Sequence, residues 1–459
     1  MMLSQLREIV KGVRTGSDVA FDTVSIDTRT LSSGALFVAL KGPNFDGHDY
    51  VSAARDKGAS AAMISSPISS GLTTSLPAVT VTDTRIALGE LAASWRAGFE
   101  IPLLAVTGSN GKTTVKEMLS SIFIQACGGD KNQVLSTLGN LNNDLGLPLT
   151  LLRLRDGHRY AITEMGMNNP GELSYLTGIA RPDVAIITNA AAAHLQGLRS
   201  VAGVARAKAE IFSGVKAGGT AIINEDDDYA GLWHEQAAGL HIIGFSLQQD
   251  SDVTASFDLY KDHSRVILKT PWGEASCKLS LPGTHNIANA LAATAAAGAV
   301  GISLADIVAG LEAWRGVAGR LQSMTINGLN VIDDTYNANP ASIRAALEVL
   351  AMQPGKKIFV MGDMGELGED SLLLHKQAGE LASKLGIDSC YTLGVQSVKT
   401  AEAFTRQAWS FSTPGELLAV LEKELKAGGE QPVNILVKGS RAMKMERIIE
   451  QLEDCGARD

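Results

Sequence analysis

The run Ala105-Val106-Thr107-Gly108-Ser109-Asn110-Gly111-Lys112-Thr113-Thr114 limits the folds open to this chain more than any other stretch. Apolar Ile101-Pro102-Leu103-Leu104 precedes it, short enough for a buried parallel strand. A helical pattern follows, with Val115, Met118, Leu119, Ile122 and Phe123 on one face. Strand, glycine loop and helix in that order are the context of a phosphate loop, in which successive backbone N–H groups and the positive end of the helix dipole hold an anion. Lys112 adds a point charge toward terminal phosphates, and Thr113 offers a hydroxyl to Mg²⁺. The common pattern G-x-x-x-x-G-K-[ST] has glycine where this chain has Val106, so an ordinary strand-to-helix turn stays open on the local residues.

The remaining chain repeats the alternation of strand and helix, as expected of an α/β protein in three domains. Residues 1–83 read as a small N-terminal α/β domain: Val24 to Arg29 alternates like a strand, Ala35 to Leu40 and Ala61 to Ile64 are apolar runs, Val51 to Gly58 is helical, and Ser65 to Ser75 is a surface loop. Residues 84–315 read as a central ATP-binding domain with a mostly parallel sheet. Its strands lie at 160–163, 183–188 and 220–223, helices span 85–97 and 201–212, and 240–281 forms an antiparallel edge. After glycines near 316–319, residues 316–459 repeat the pattern as a C-terminal Rossmann-like domain, with strands at 330–332, 357–361, 389–393 and 433–437 and helices at 341–351, 371–385 and 442–452.

A net charge of −9 argues against a general nucleic-acid surface, because neutralising phosphates takes clustered Lys and Arg. The four cysteines form no C-x-x-C pair and fit reduced thiols in a cytoplasmic protein. The N-terminus meets its charges before any apolar core, unlike a signal peptide. The uncharged stretch Ile287 to Ala305 is mostly alanine with Asn289, Thr294 and Ser303, and reads as a helix inside a soluble domain and not as a membrane span.

Ligands of open α/β sheets bind beyond the carboxyl ends of strands, which draws attention to Glu164 and His194. Each has an ordinary alternative, a surface Glu and a structural His. Lys208 is by default a solvated helix lysine. Asp333-Asp334-Thr335-Tyr336-Asn337-Ala338-Asn339-Pro340 places carboxylates and amides between a strand and a helix-starting proline, suited to ribose and base contacts or to an Asx-rich turn. Lys438-Gly439-Ser440-Arg441 follows a strand, opens a helix and carries positive charge, an anion site by position. The loop Lys41-Gly42-Pro43-Asn44-Phe45-Asp46-Gly47-His48 is a ligand loop or a plain turn.

Together these segments resemble the Mur ligase family, whose phosphate loop T-G-[ST]-N-G-K-T-[ST] fits Thr107 to Thr114 throughout. Further matching segments are Thr137 to Asn143, Glu164-Met165-Gly166, Ile187-Thr188-Asn189 with Ala193-His194, Ala207-Lys208, Gly283 to Asn286 with Asn289, Gly319-Arg320, Asp333 to Pro340, Gly362 to Gly368 and Lys438 to Arg441. Asp333 to Pro340 is similar to the branch that adds D-alanyl-D-alanine to UDP-N-acetylmuramoyl-tripeptide. Branches adding L-alanine or the third residue tend to show Tyr-Ala-His there, and folylpolyglutamate synthases Ala-His-Asn-Pro. The family usually has Gly-Phe-Gly-Ser after the histidine, whereas this chain has Gly197-Leu198-Arg199-Ser200, a change expected to alter loop flexibility and not reaction type.

The resemblance implies an ATP-dependent amide ligase acting through an acyl phosphate, with two Mg²⁺ ions. Thr113 and Glu164 would hold the first ion, and His194 with Lys208, as a carbamate, the second. Thr107, Gly108, Ser109, Asn110, Gly111, Lys112, Thr113 and Thr114 would bind phosphates. His285, Asn286, Asn289, Arg320, Asp334, Asn337 and Asn339 would take the rest of the nucleotide. Ser25, Asp27, Arg29, Lys41, Gly42, Asp46 and His48 would hold the uridine diphosphate, with Asn140, Asn142, Asn143, Lys438, Ser440 and Arg441 on the peptide substrates. The partners are then small molecules, with no nucleic acid, and a monomer that closes its domains on binding is expected. The alternatives are another amide ligase of the superfamily, or a P-loop kinase or NTPase without ligation, for which the C-terminal domain would be dispensable.

Overall fold

A computed structural model of the chain describes residues 1–65, 76–193, 195–427 and 431–455. It contains three sheets, formed in chain order. The first holds β1 (Val13–Thr15), β2 (Val24–Ser25), β3 (Leu36–Val38), β4 (Ala61–Ile64) and β5 (Ala78–Thr80) in the order β1-β5-β4-β3-β2, with only β1 antiparallel to its neighbour. The strand expected from Val24 stops at Ser25, because Arg29 folds back on Asp27 and Thr30 N–H bonds the Asp27 carbonyl at 3.3 Å. The expected loop 65–75 lies outside the described residues from 66 onward.

The second sheet has nine strands: β6 (Leu103–Thr107), β7 (Val134–Ser136), β8 (Tyr160–Glu164), β9 (Val184–Ile187), β10 (Thr220–Asn224), β11 (His241–Ser246), β12 (Val253–Leu259), β13 (Ser264–Thr270) and β14 (Gly273–Leu279), in the order β14-β13-β12-β11-β10-β9-β6-β8-β7. Its strands are parallel from β7 to β12, and β13 and β14 form the antiparallel edge. Chain order reverses at β6, so the loop after it opens at a topological switch point, where such sheets bind ligands.

Period-two alternation sends Leu104 and Val106 to one face of this sheet and Leu103 and Ala105 to the other. On the first face lie the phosphate-loop helix Lys112–Ala126 and the alanine-rich helix Thr284–Ala299. A small residue brings a third helix, Leu304–Ala313, close to the first: a Cβ on Gly310 would sit 2.3 Å from the Ile122 Cα. The stretch expected as one helix from Ile287 to Ala305 is broken, since Gly301 turns with φ +80° and Ser303 caps the next helix. No helix among the described residues is long and apolar enough to cross a membrane.

The third sheet comprises β15 (Gln322–Ile326), β16 (Leu329–Asp334), β17 (Lys356–Gly362), β18 (Ser389–Leu393), β19 (Gln407–Phe411) and β20 (Val433–Lys438), ordered β15-β16-β20-β17-β18-β19 and parallel except for β15. The helix expected from 442 begins at Glu446, after a single turn Arg441–Met443 that ends on left-handed Lys444. The helix Thr84–Ala97 is shared between units, giving Ala87, Leu88 and Leu91 to the first core and Ala92 to the second.

Candidate active site

The phosphate loop is shaped by contacts to the strand beside it. Thr188 Oγ1 donates to the Asn110 carbonyl at 2.6 Å, and Ser109 and Asn110 donate their N–H groups to the Asn189 carbonyl and Oδ1. Two loop amides are therefore committed within the protein, and the anion cradle lies at the start of the helix from Lys112, which no side chain caps. Gly108 (φ +153°) and Gly111 (φ +82°) are required by close approach: a Cβ would meet Thr188 Oγ1 at 1.7 Å and Asn289 Oδ1 at 2.3 Å. Thr107, beneath the loop, donates to the Met165 carbonyl. The Lys112 ammonium folds onto the Gly108 carbonyl at 2.5 Å, and burial pulls its pKa below the usual lysine value.

Glu164 is no surface carboxylate. It ends β8 only 2% exposed, and its oxygens accept from Thr113 Oγ1 (2.7 Å) and Asn142 Nδ2 (2.8 Å). Both hydrogen-bond donors are neutral, and the Lys112 ammonium is the cation that acts on this carboxylate through space, beside a helix N-terminus. No group of three His, Cys, Asp or Glu that could hold a metal occurs among the described residues. The hard oxygen pair of Thr113 and Glu164 fits Mg²⁺, which keeps waters and phosphate oxygens in its remaining positions. His194 lies outside the described residues. Lys208 is not solvated as its helix position suggested: it is 2% exposed, and burial, with Lys112 nearby, holds its pKa well below the usual value despite Asp227. The Asp227 carboxylate accepts from Ala190 N and so braces the loop leading to His194.

The C-terminal domain closes over this site. Arg320 Nη2 donates to Thr113 Oγ1 at 2.9 Å and its guanidinium lies 4.2 Å from the Tyr336 ring centre. Asn339 caps the helix Pro340–Ala351 and donates to Asn110 Oδ1 at 2.7 Å. Leu195 N donates to the Glu366 carbonyl at 3.1 Å. A cavity of about 510 Å³ lies between the domains. Phosphate-loop residues Ser109 to Lys112 and Thr114 line it, as do Asn142, Asn143, Glu164, Arg320, Asp334, Asn337 and Asn339. Its apolar lining includes Phe245, Ala288, Ala292, Ala341 and Ala345, and Asn286 and Asn289 line it too. His285 also lines the cavity; burial and the Lys438 charge push its pKa down to about 4, and its Nε2 has no hydrogen-bond partner among the described residues.

Lys438 lines the cavity as well, but its ammonium is engaged within the protein. Its ammonium is 2.5 Å from Asp334 Oδ2 and 2.8 Å from the Asn337 carbonyl, with side chains 2% and 11% exposed, so its charge is already matched. Burial raises the Asp334 pKa against the pull of that ammonium. Arg441 opens only the short turn Arg441–Met443 and not the longer helix from Glu446; it is exposed and pairs with Glu446 at 2.9 Å. Ser440 is buried, its N–H bonded to the Asp363 carbonyl, and Asn140 is exposed on the loop before Asn142.

The N-terminal residues do not line the cavity and form clusters of their own. Arg29 holds Asp27 through Nε and Nη2, which with the Arg29 N–H lowers the Asp27 pKa to about 2, and Ser25 Oγ donates to the Asp27 carbonyl. His48 Nδ1 contacts Asp46 Oδ1 at 2.5 Å, its Nε2 accepts from Ser65 N, and Lys41 Nζ lies 3.8 Å from Asp46, with Gly42 between them in the turn. In the departing segment Gly197 to Ser200, Arg199 takes a left-handed φ of +65° at the position of the family's second glycine, and Ser200 caps the helix Val201–Ala209. Residues that line the cavity but were not singled out as site residues include Asn189, Asn224, Phe245 and Tyr336. Asn189 and Asn224 end or follow strands, so the strand-end rule that marked Glu164 pointed to them too.

Three family models match the chain: Mur ligase family, catalytic domain, over 20–96; Mur ligase middle domain over 106–297; and Mur ligase, glutamate ligase domain, over 319–441. The chain is 44% identical over 460 residues to the UDP-N-acetylmuramoyl-tripeptide--D-alanyl-D-alanine ligase of Escherichia coli (99% of this chain, 98% of that one) and 33% identical to the Bacillus subtilis enzyme of the same name (98% of each). Among solved structures it is similar to MurF from Acinetobacter baumannii (TM-score 0.92, 37% identity, 98% of each chain) and to MurF ligase from Thermotoga maritima in complex with ADP (TM-score 0.83, 26% identity, 95% and 98%).

Proposed function

The chain belongs to the Mur ligase family, and from that premise we propose that it joins the amine of D-alanyl-D-alanine to the terminal carboxylate of UDP-N-acetylmuramoyl-tripeptide. ATP is consumed, and the products are UDP-N-acetylmuramoyl-pentapeptide, ADP and phosphate, a step of peptidoglycan synthesis. The observation that carries this reading is 40–44% identity over nearly the full length of ligases of that name. Cross-domain contacts at the phosphate loop add support, since an NTPase that only hydrolyses nucleotide has no need of a C-terminal domain reaching Asn110 and Thr113.

The γ-phosphoryl group passes to the peptide carboxylate, forming an acyl phosphate. The dipeptide amine attacks its carbonyl carbon, loses a proton, and the tetrahedral intermediate expels phosphate. The first step brings two anions together and needs positive charge fixed in advance. Lys112 and the uncapped helix start hold the phosphates, and Arg320 adds charge from the C-terminal domain. Magnesium held by Thr113 and Glu164, with a second ion near His194 and Lys208, would neutralise phosphate oxygens as charge builds up. Burial lowers the Lys208 pKa and so favours the neutral amine, the form that adds CO₂ to give a carbamate and a proton. Adenine takes the apolar lining of the cavity, with Asn286 and Asn289 as its polar contacts. Ser25, Asp27, Arg29 and the Lys41 to His48 loop take the uridine diphosphate, and the C-terminal domain presents the dipeptide. ATP as a substrate puts the reaction in the cytoplasm, and since all these residues come from one chain a monomer suffices.

Phosphate release is the test, with UDP-N-acetylmuramoyl-tripeptides carrying diaminopimelate or lysine and with the dipeptide. Release should require both peptide partners, and ATP turnover at the same rate without them would overturn the reading.

A further inference from the structure

Lys116 lies one helical turn beyond Lys112, yet it has no place in the chemistry above. It is 1% exposed on the phosphate-loop helix, its Nζ donates to the Thr137 carbonyl at 2.9 Å, and Glu117 Oε1 balances its charge at 2.6 Å. Burying an ammonium is costly unless it is paired and hydrogen-bonded, so this group fastens its acceptor firmly.

Thr137 is the residue at which the chain leaves β7 for the loop that carries Asn142. Its N–H bonds the Ile162 carbonyl at 3.1 Å, and its Oγ1 accepts from the Glu164 N–H at 3.0 Å. Five residues on, Asn142 donates to Glu164 Oε1, and its carbonyl accepts from Gly166 N at 2.8 Å. Glu164 is thus held at its main-chain nitrogen by Thr137 and at its two carboxylate oxygens by Asn142 and Thr113. Two of these three holds come from the loop that Lys116 anchors, and the third comes from its own helix.

We infer that Lys116 is a positioning residue for the metal-binding carboxylate: its ammonium locks the Thr137 to Asn142 loop to the phosphate-loop helix and so fixes Glu164 relative to Thr113. The inference rests on the proposed role of Thr113 and Glu164 in holding magnesium. A lysine that merely tied two elements together would weaken every property of the site alike. One that orients Glu164 affects the metal first, and loss of such outer partners costs about 10–100-fold in metal affinity or activity.

The test is Lys116→Met, which keeps the stem and removes the ammonium, with ADP binding measured by titration calorimetry in EDTA and again in Mg²⁺. ADP affinity in EDTA should stay within about twofold of the parent, while the strengthening by Mg²⁺ falls about tenfold and half-saturating Mg²⁺ in the ligation assay rises to match. Equal weakening with and without Mg²⁺, or an unchanged Mg²⁺ response, overturns the inference. Should Lys116→Met not fold, Thr137→Val decides, because it removes the acceptor for the Glu164 N–H at the other end of the same chain of contacts. The same Mg²⁺-selective loss supports the inference, and an unaltered Mg²⁺ response refutes it. Failure of the underlying reading looks different: the parent protein would itself show no effect of Mg²⁺ on ADP binding.

Discussion

Replacing Lys438 by Met separates a structural charge from a ligand contact. The ammonium and the Asp334 carboxylate are 2.5 Å apart with side chains 2% and 11% exposed, so removing the cation leaves a carboxylate buried without its partner. Breaking such a pair from one side costs about 3–5 kcal/mol. At about 2–4 °C per kcal/mol for a domain of this size, melting of the C-terminal unit should fall by roughly 6–20 °C. The loss also depends on pH with a defined sign. Burial already raises the Asp334 pKa above its ordinary value of 3.8 against the pull of the ammonium; in the variant that pull is gone, so the folded form binds a proton more tightly than the unfolded form. Stability of the variant must therefore fall as pH rises from about 4 toward neutrality, and the defect should be smaller at pH 5 than at pH 8. Adding Asp334→Asn to Lys438→Met should recover most of the loss, because no charge is then stranded and the amide oxygen still faces Leu321 N. Calorimetric melting of the parent, both single variants and the double variant at the two pH values provides the data. A loss under about 1 kcal/mol for Lys438→Met, or a double variant as unstable as the sum of the singles, refutes the reasoning.

Lys208→Ala should abolish ligation, and short-chain carboxylic acids should partly restore it by supplying the missing carboxylate; full activity in the variant would rule out the carbamate. Asn110→Ala removes the 2.7 Å contact to Asn339, worth about 0.5–1.5 kcal/mol, and should shift the closed-to-open ratio of the nucleotide-free protein about 2–13-fold toward open. Small-angle scattering or energy transfer between the central and C-terminal domains reads that shift, and unchanged profiles count against the contact as a latch. Gly310→Ala places a methyl 2.3 Å from the Ile122 Cα and should lower stability by about 1–3 kcal/mol in thermal unfolding, with no loss if the helices separate freely.

Local chemistry made the phosphate loop legible. Strand, glycine and helix signals are contiguous from Leu103 to Phe123, and the backbone geometry they impose depends on neighbours a few residues away. The same holds for the strand ends that drew attention to Glu164 and for the order of motifs that pointed to the family. The short strand after Val24 and the break at Gly301 were harder to read, because a turn closed by Arg29 and a cap by Ser303 competed with the apolar pattern.

Burial and pairing are decided by residues far apart in the chain, and no local pattern carries them. Lys208 looks like any solvated helix lysine, and Lys438 like a free cation after a strand. Only the packed molecule desolvates the first and sets the second against Asp334, 104 positions away in sequence. Amino-acid order thus determined the kind of site and its residue types. Three-dimensional packing determined which charges are already matched, which carboxylate is buried against the phosphate loop, and which side chains of the third domain reach that loop, because electrostatic energy depends on distance and solvent exclusion and not on position along the chain.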